Sequence, residues 1–167
     1  MTPRTLSILP VLLLLAGSLS AQSLLASNSD IALALPDGSS APVAVIPPSP
    51  AEQREVQQNI KDIHFDFDQA DLRPEDRSTL EQDAQWLRAH PDTLVTIEGD
   101  ADERGGIVYN VALSEKRAAV TKDALVSLGV PDDQIIFATG WGKLYPACFA
   151  SDESCWSQNR RAHFAAW

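Results

Sequence analysis

The sequence predicts an α/β (α+β) domain, a two-layer sandwich in which helices pack on one face of a mixed β-sheet. Segments in which apolar and polar residues alternate are interleaved with longer segments whose apolar residues recur every three or four positions. Along the chain, these patterns give the order β-α-β-α-β-β. The chain has 167 residues, of which 44% are hydrophobic and 22% charged, which is enough for one such domain with appendages.

Residues 1–21 are predicted to be a secretory signal peptide. Arg4 supplies a positive charge, Ile8–Ala16 is an apolar run too short to span a bilayer comfortably, and small residues follow it. The alternative is a buried core helix, which Pro10 inside the run disfavours. We therefore expect the chain to be exported.

Residues 15–18 resemble a lipobox, the motif that is cleaved before a lipid-modified cysteine. Ser18 stands where that cysteine is required, and serine has no thiol to form the thioether link. The chain is therefore expected to lack this lipid anchor. Cleavage after Ser20 or Ala21 is left open, because small residues occur at several offsets.

Residues 22–55 are expected to be a flexible linker in front of a folded domain of residues 56–167. The segment is rich in Ala, Ser and Pro, a composition typical of tethers that stiffen where prolines cluster. Residues 52–59, which run from the end of this segment into the domain, are compatible with a short helix. A tether suits a protein that is attached at one end and binds a target at the other.

The N-terminal half of the domain is predicted to be strand, helix and strand. Apolar and polar residues alternate in residues 63–68, as in a half-buried strand. A helix follows from Pro74, which suits a first helical turn, and ends before Pro91. Residues 94–98 alternate again and predict the second strand, and the glycine- and charge-rich residues 99–106 predict a loop.

The C-terminal half is predicted to be helix, strand and strand. The long helix begins near Val108 and is capped by Gly129. Its predicted apolar face carries Tyr109, Leu113, Val120 and Ala124. Residues 135–138 and 162–167 predict the last two strands, and residues 140–142 predict a loop.

Cys148 and Cys155 are predicted to form a local disulfide, because export places them in an oxidising compartment. A bridge across so short a polar stretch closes a surface loop and stabilises by about 2–3 kcal/mol in the chain-entropy model. A metal pair is disfavoured, since no histidine lies at ligand spacing. Two candidate calcium loops, beginning at Asp66 and Asp100, fail at the sixth or the twelfth position.

The charge balance and the motifs exclude several classes of function. The formal net charge of −10 disfavours nucleic-acid binding, which requires a basic surface. No nucleophile motif such as Gly-x-Ser-x-Gly is present, and the paired carboxylates lack a second catalytic element. We therefore expect a protein that is not an enzyme and uses neither cofactor nor metal.

A ligand-binding site is expected where the loop after the second strand meets the next helix. Asp102 lies in that loop, and Asn110, Leu113 and Arg117 share one face of the helix. A carboxylate and a guanidinium in one cleft fit a zwitterionic ligand such as meso-diaminopimelate, which carries an ammonium and a carboxylate on one carbon. The alternative, a structural salt bridge between Asp102 and Arg117, stays open on spacing alone.

Four linked motifs resemble the OmpA-like family, most of all its peptidoglycan-associated lipoprotein branch. They are Ile63–Asp68, Glu98–Gly105, Tyr109–Ala118 and Asn159–Ala162. By motif position, the resemblance implies that Asp102 and Arg117 bind diaminopimelate in the stem peptide of peptidoglycan. It also implies further contacts around that site, from Asn110, Leu113, Phe67, Asp68 and Asp71.

The resemblance implies an OmpA-like β-α-β-α-β-β fold and a non-catalytic anchor to peptidoglycan in the periplasm of a Gram-negative bacterium. Association with the outer membrane and binding to a TolB-like periplasmic protein are implied too, and a cell-wall hydrolase is the enzymatic alternative. Arg160 and Arg161 are expected to pair with acidic loop residues. The sequence departs from the family at Asp100, where the family has histidine, and this charge is expected to raise a pKa by like-charge coupling with Asp102.

Overall fold

A four-stranded mixed sheet with helices packed on it forms the part of the chain that the computed structural model describes, residues 47–167. Its elements are α1 Pro50–Asn59, β1 Ile63–His64, α2 Arg77–Ala89, β2 Val95–Asp100, α3 Ile107–Ser127, β3 Ile135–Gly142, α4 Glu153–Asn159 and β4 Arg161–Ala166. The predicted α/β sandwich is thereby confirmed. The predicted signal peptide and the linker up to residue 46 lie outside the described residues. No helix between residues 47 and 167 is long and apolar enough to cross a membrane.

The sheet order brings the loops that follow two strands to one edge. The order is β1-β4-β2-β3, with β2 parallel to β3 and β4 antiparallel to both β1 and β2. In the register, His64 pairs with Arg161 and Gly99 pairs with Ala162. The ends of β1 and β2 and the start of β4 therefore lie together, and this is where the candidate site forms.

Helix α3 lies directly on the sheet because two strand glycines leave room for its backbone. A Cβ atom at Gly99 would stand 1.9 Å from the Ser114 carbonyl oxygen, and one at Gly140 would stand 2.3 Å from the Glu115 amide nitrogen. Ser114 also accepts a hydrogen bond from the Gly142 amide at 2.8 Å through its hydroxyl. This close packing fixes the part of α3 that carries Arg117 against the end of β2.

The first helix of the structure begins earlier than the predicted domain does. Ser49 caps α1, and its side chain and that of Glu52 exchange hydrogen bonds with each other's backbone amides, a capping box in front of Pro50. Val56 is fully buried in the core that α1 shares with α2, α3 and the sheet. Residue 56, at which the domain was predicted to begin, therefore lies inside α1.

The strand boundaries differ from the predicted ones. Backbone pairing between β2 and β3 continues beyond their predicted ends, whereas the pairing of β1 stops before its predicted end. The predicted loops at residues 99–100 and 140–142 are strand, since β2 and β3 continue to pair as far as Asp100 and Gly142. The first strand is shorter than predicted and covers only Ile63 and His64. Beyond it, the Phe65 amide still donates to the Arg160 carbonyl oxygen, at 2.9 Å.

The face of α3 that packs inward is more polar than its predicted apolar stripe. Tyr109, which the spacing assigned to the apolar face, is exposed. The buried residues of the helix are Asn110, Ser114, Arg117, Ala118, Thr121 and Leu125. Asn110 and Arg117 donate to carbonyl groups after β1 and at or just beyond the end of β2, whereas Ser114 and Thr121 donate to carbonyl oxygens of α3 itself.

The predicted disulfide between Cys148 and Cys155 is present, but the segment that it bridges is not entirely irregular. Helix α4, which the sequence reading missed, begins at Glu153 within the bridged segment. Asp152 caps it by accepting a hydrogen bond from the Cys155 amide, and Cys155 is buried. The bridge therefore ties the segment after β3 to the first turn of α4.

Candidate ligand-binding site

A cavity of about 180 Å³ lies at the sheet edge where the β1–α2 loop, the β2–α3 loop and α3 meet. Six of the seven predicted ligand-binding residues line it: Asp102, Arg117, Asn110, Leu113, Phe67 and Asp68. Asp71, the seventh, is not among its lining residues. Four more lining residues were not predicted to bind ligand: Ala101, Arg104, Gly105 and Tyr109. Arg160 also lines the cavity, although the sequence favoured only a salt bridge for it.

Arg117 is fully buried at the cavity, and three backbone carbonyl groups hold its guanidinium. Nε donates to Gln69 at 2.8 Å, Nη1 to Asp100 at 2.7 Å and Nη2 to Asp66 at 3.2 Å. Burial and, to a smaller extent, the nearby charge of Arg160 lower the pKa of Arg117 to about 10. Because a guanidinium has five N–H groups, two remain for another acceptor.

Arg117 and Asp102 do not form the salt bridge that the sequence left as an alternative. Within residues 47–167, Arg117 belongs to no ion pair, and Asp102 pairs instead with Arg104 at 2.6 Å and Arg160 at 3.3 Å. Both predicted residues nevertheless line the same cavity. The cavity therefore contains a buried cation without a carboxylate partner beside a carboxylate with two cationic partners.

Asp102 is held ionised by its two arginine neighbours. Burial by itself would raise the pKa of this carboxyl, but the side-chain and backbone hydrogen bonds from Arg104 and the hydrogen bond from Arg160 lower it below its ordinary value. Arg160 also reaches Glu153 at 2.6 Å, and Arg161 reaches Asp100 at 3.1 Å. The prediction that Arg160 and Arg161 pair with acidic residues is confirmed.

The side chain of Arg104 is clamped between two aromatic rings. Its guanidinium carbon lies 4.0 Å from the Phe67 ring centre and 4.1 Å from the Trp156 ring centre. Trp156 comes from α4, and its indole nitrogen donates to Glu103 at 3.0 Å. Sequence reasoning missed this arrangement, because nothing in the spacing of Arg104 connects it to a helix some fifty positions later.

Asn110 and Tyr109 tie the cavity walls together from the first turns of α3. The Asn110 side-chain amide donates to the carbonyl oxygens of Asp102 at 3.2 Å and Arg104 at 2.9 Å, which fixes the loop that carries both residues. The Tyr109 hydroxyl donates a hydrogen bond to the carboxylate of Asp68, in the opposite wall. This bond raises the pKa of Tyr109. Asp68 itself takes a left-handed backbone conformation, with φ of 58°.

Asp100 has the raised pKa that the sequence predicted for this pair of aspartates, but for a different reason. Burial raises the pKa of Asp100 to about 6, against the opposing effect of Arg161, and Glu98 rather than Asp102 is the like charge that contributes. One of its carboxylate oxygens, Oδ1, is buried without a hydrogen-bond partner in the described part of the chain. Desolvation is therefore the main cause, and Asp102 is not among the charges that contribute most.

A metal centre has no support in the described residues. Residues 47–167 contain no group of three or more His, Cys, Asp and Glu side chains that could hold an ion. The charged groups that line the cavity are arginines and carboxylates, which can orient a charged ligand.

The OmpA family model matches residues 64–162, which include the sheet edge and the cavity. The chain is similar to the peptidoglycan-associated lipoprotein of Rhizobium meliloti (strain 1021), with 46% identity over 115 residues, which are 68% of this chain and 65% of that protein. It is 42% identical to the protein of the same name from Brucella melitensis, over 68% of each chain. This chain thus spans about two thirds of the length of these relatives.

Solved structures show the same fold. The peptidoglycan-associated lipoprotein from Burkholderia pseudomallei superposes with a TM-score of 0.61 and 40% identity, covering 64% of this chain and 90% of that one. The C-terminal domain of Helicobacter pylori MotB superposes with a TM-score of 0.60, covering 65% of this chain and 84% of that one. At 17% identity, the match to MotB supports the fold alone.

Proposed function

Because this chain belongs to the OmpA family, we propose that it is a non-catalytic protein of the bacterial cell envelope that binds peptidoglycan without a covalent bond. The ligand group is diaminopimelate of the stem peptide, and the cavity beside α3 is the site. We further propose that the chain is exported to the periplasm. There it associates with the outer membrane by a means other than a lipid on Ser18.

The observation that carries this proposal is the state of Arg117. A buried cation normally has a carboxylate partner, and Arg117 has three carbonyl oxygens instead, with two N–H groups left over. A carboxylate that accepts both N–H groups at once satisfies the guanidinium in the bidentate geometry that arginine favours. The ammonium on the same carbon of diaminopimelate would then be directed to Asp102.

The remaining predicted residues have supporting roles in this proposal. Asn110 holds the backbone of the loop that carries Asp102, Leu113 gives the cavity an apolar wall, and Phe67 and Asp68 form the opposite wall. Asp71 lies outside the cavity lining, so we propose no direct contact for it.

Displacement from purified sacculi tests the proposal. Soluble L-Ala-γ-D-Glu-meso-diaminopimelate should release the bound chain, whereas the same tripeptide with L-Lys should not, because lysine lacks the side-chain carboxylate. Asp102→Ala and Arg117→Ala should no longer sediment with sacculi, and Arg54→Ala, on the exposed side of α1, should sediment like the parent. Equal release by both tripeptides would exclude diaminopimelate as the recognised group. Circular dichroism checks that the Arg117 variant is folded.

A second function, binding to a TolB-like periplasmic protein, has support from the surface beside the cavity. Ile107, Val108 and Tyr109 expose apolar side chains at the start of α3, and Val108 is 85% exposed. A partner that covers these residues would also cover the cavity mouth, so the two partners would compete. Co-purification with and without the diaminopimelate tripeptide tests this, and undiminished co-purification at saturating tripeptide would assign the partner to another surface.

A further inference from the structure

The carboxylate of Asp102 has no acceptor position to spare. Oδ1 accepts hydrogen bonds from the backbone amide and from Nε of Arg104, both at 3.1 Å. Oδ2 accepts from Nη2 of Arg104 at 2.6 Å and from Nη1 of Arg160 at 3.3 Å. An ionised carboxylate offers about four lone-pair positions, and these four bonds occupy them. A ligand ammonium can therefore bind Asp102 only after one of these donors has left.

Arg160 is not the donor that can leave. Its side chain is 7% exposed, and Nε donates to the buried Phe65 carbonyl oxygen at 3.0 Å. Its Nη2 also donates to Glu153 at 2.6 Å. Moving Arg160 would leave the Phe65 carbonyl without a donor, which costs free energy in a buried position.

Arg104 can leave, because it is more exposed and has a second carboxylate within reach. Its side chain is 30% exposed, and Nη2 already lies 3.7 Å from the carboxylate of Glu153. The guanidinium carbon lies 4.0 Å from the Phe67 ring centre and 4.1 Å from the Trp156 ring centre, and such cation–π contacts are less directional than a hydrogen bond. Its backbone stays in place, since its carbonyl oxygen accepts from Asn110 at 2.9 Å.

We propose that Arg104 is a positioning residue that occupies Asp102 in the free protein and moves towards Glu153 when a ligand ammonium binds. This inference rests on the proposed function of the cavity. Arg104 then competes with the ligand ammonium for the carboxylate of Asp102. A neutral ligand group would not bind there, because it cannot replace a cation at an ionised carboxylate. This movement also gives α4 a role in ligand binding, because α4 supplies both Glu153 and Trp156.

NMR of the ¹⁵N-labelled chain, titrated with the diaminopimelate tripeptide, separates this inference from the proposed function. Resonances of the Asn110 side-chain amide report on the cavity, and those of Arg104 Nε and Trp156 Nε1 report on the clamp. All three should shift together. A shift of Asn110 alone would overturn the exchange of Arg104 and leave the proposed function intact. Unchanged resonances at saturating tripeptide would reject both.

A double-mutant cycle tests the direction of the movement. Arg104→Gln should bind the tripeptide about threefold to fivefold more tightly, the size expected for removing one partly exposed ion pair from the competition. Glu153→Gln should weaken binding by a similar factor in the parent and have a clearly smaller effect when combined with Arg104→Gln. Arg54→Gln removes the same charge from α1 and should bind like the parent. Weaker binding by Arg104→Gln, or additive effects in the cycle, would overturn the proposal.

Discussion

Replacing Asp100 by asparagine should stabilise the folded chain at neutral pH. Asp100 is 3% exposed, and burial raises its pKa from the ordinary value of 3.8 to about 6. Each pKa unit corresponds to about 1.4 kcal/mol, so keeping the ionised carboxylate buried at pH 7.5 costs about 3 kcal/mol relative to a neutral side chain. Asparagine keeps an oxygen for Arg161, whose Nε donates to Asp100 at 3.1 Å.

The same pKa fixes how this gain depends on pH. Because the pKa is raised in the folded state, the stability that the neutral carboxyl contributes is fully present below pH 4 and is lost as the pH rises through 6. At pH 4.5 the folded parent has already taken up the proton. The advantage of Asp100→Asn should therefore shrink from about 3 kcal/mol at pH 7.5 to about 1 kcal/mol at pH 4.5.

Urea unfolding at these two pH values measures the effect. At pH 7.5 the midpoint of Asp100→Asn should exceed that of the parent by on the order of 1 M, with an unchanged slope. The matched control is Asp123→Asn, because Asp123 is exposed on α3 and its change should shift neither midpoint appreciably. An advantage of the same size at both pH values would refute the assignment of a raised pKa to Asp100.

Three further changes test other parts of the structure. Asp83→Asn should raise the free energy of unfolding at pH 8 by about 2–4 kcal/mol and by less at pH 5, since burial raises the pKa of Asp83 to about 7; pH-dependent urea melts check this. Gly140→Ala should lower the free energy of unfolding by about 1–3 kcal/mol, because the new Cβ would meet the backbone of α3. The control is Gly106→Ala, whose Cβ would meet nothing within 4 Å. Equal melting temperatures of the two variants would contradict this. Reducing the Cys148–Cys155 bridge should lower the free energy of unfolding by about 2–3 kcal/mol, and an unchanged calorimetric transition would refute that contribution.

The order and type of the main elements could be predicted from local signals, whereas α4 could not. Gly129 ends α3 as predicted, because its φ of 90° suits glycine and its amide bonds back to Val126. Helix α4 has only seven residues and little apolar periodicity. It is held by the disulfide at Cys155 and by the contact of Trp156 with Arg104, and neither is a local property of its sequence.

The candidate site, too, could be predicted from the sequence only in part. Asp102 and Arg117 were found from strand-loop-helix spacing and from the family resemblance, and both line the cavity. Their actual partners were not found, since Arg117 binds carbonyl groups of residues 48 and 51 positions away and Asp102 binds Arg160, 58 positions away. Such contacts depend on which strand ends share an edge. The insertion of β4 between β1 and β2 decides that, and spacing alone does not reveal it.

The free energy stored at Arg117 gives the proposed site its driving force. Burial and the nearby charge of Arg160 lower the pKa of Arg117 to about 10, so the folded chain bears on the order of 3 kcal/mol to keep this guanidinium charged. A carboxylate bound to its two remaining N–H groups would recover much of that cost, because an adjacent anion favours the charged form. Exchange at Asp102 adds little net attraction, since Arg104 must leave as the ammonium arrives. We therefore expect the carboxylate end of the ligand to supply most of the affinity and the ammonium end to supply the selectivity.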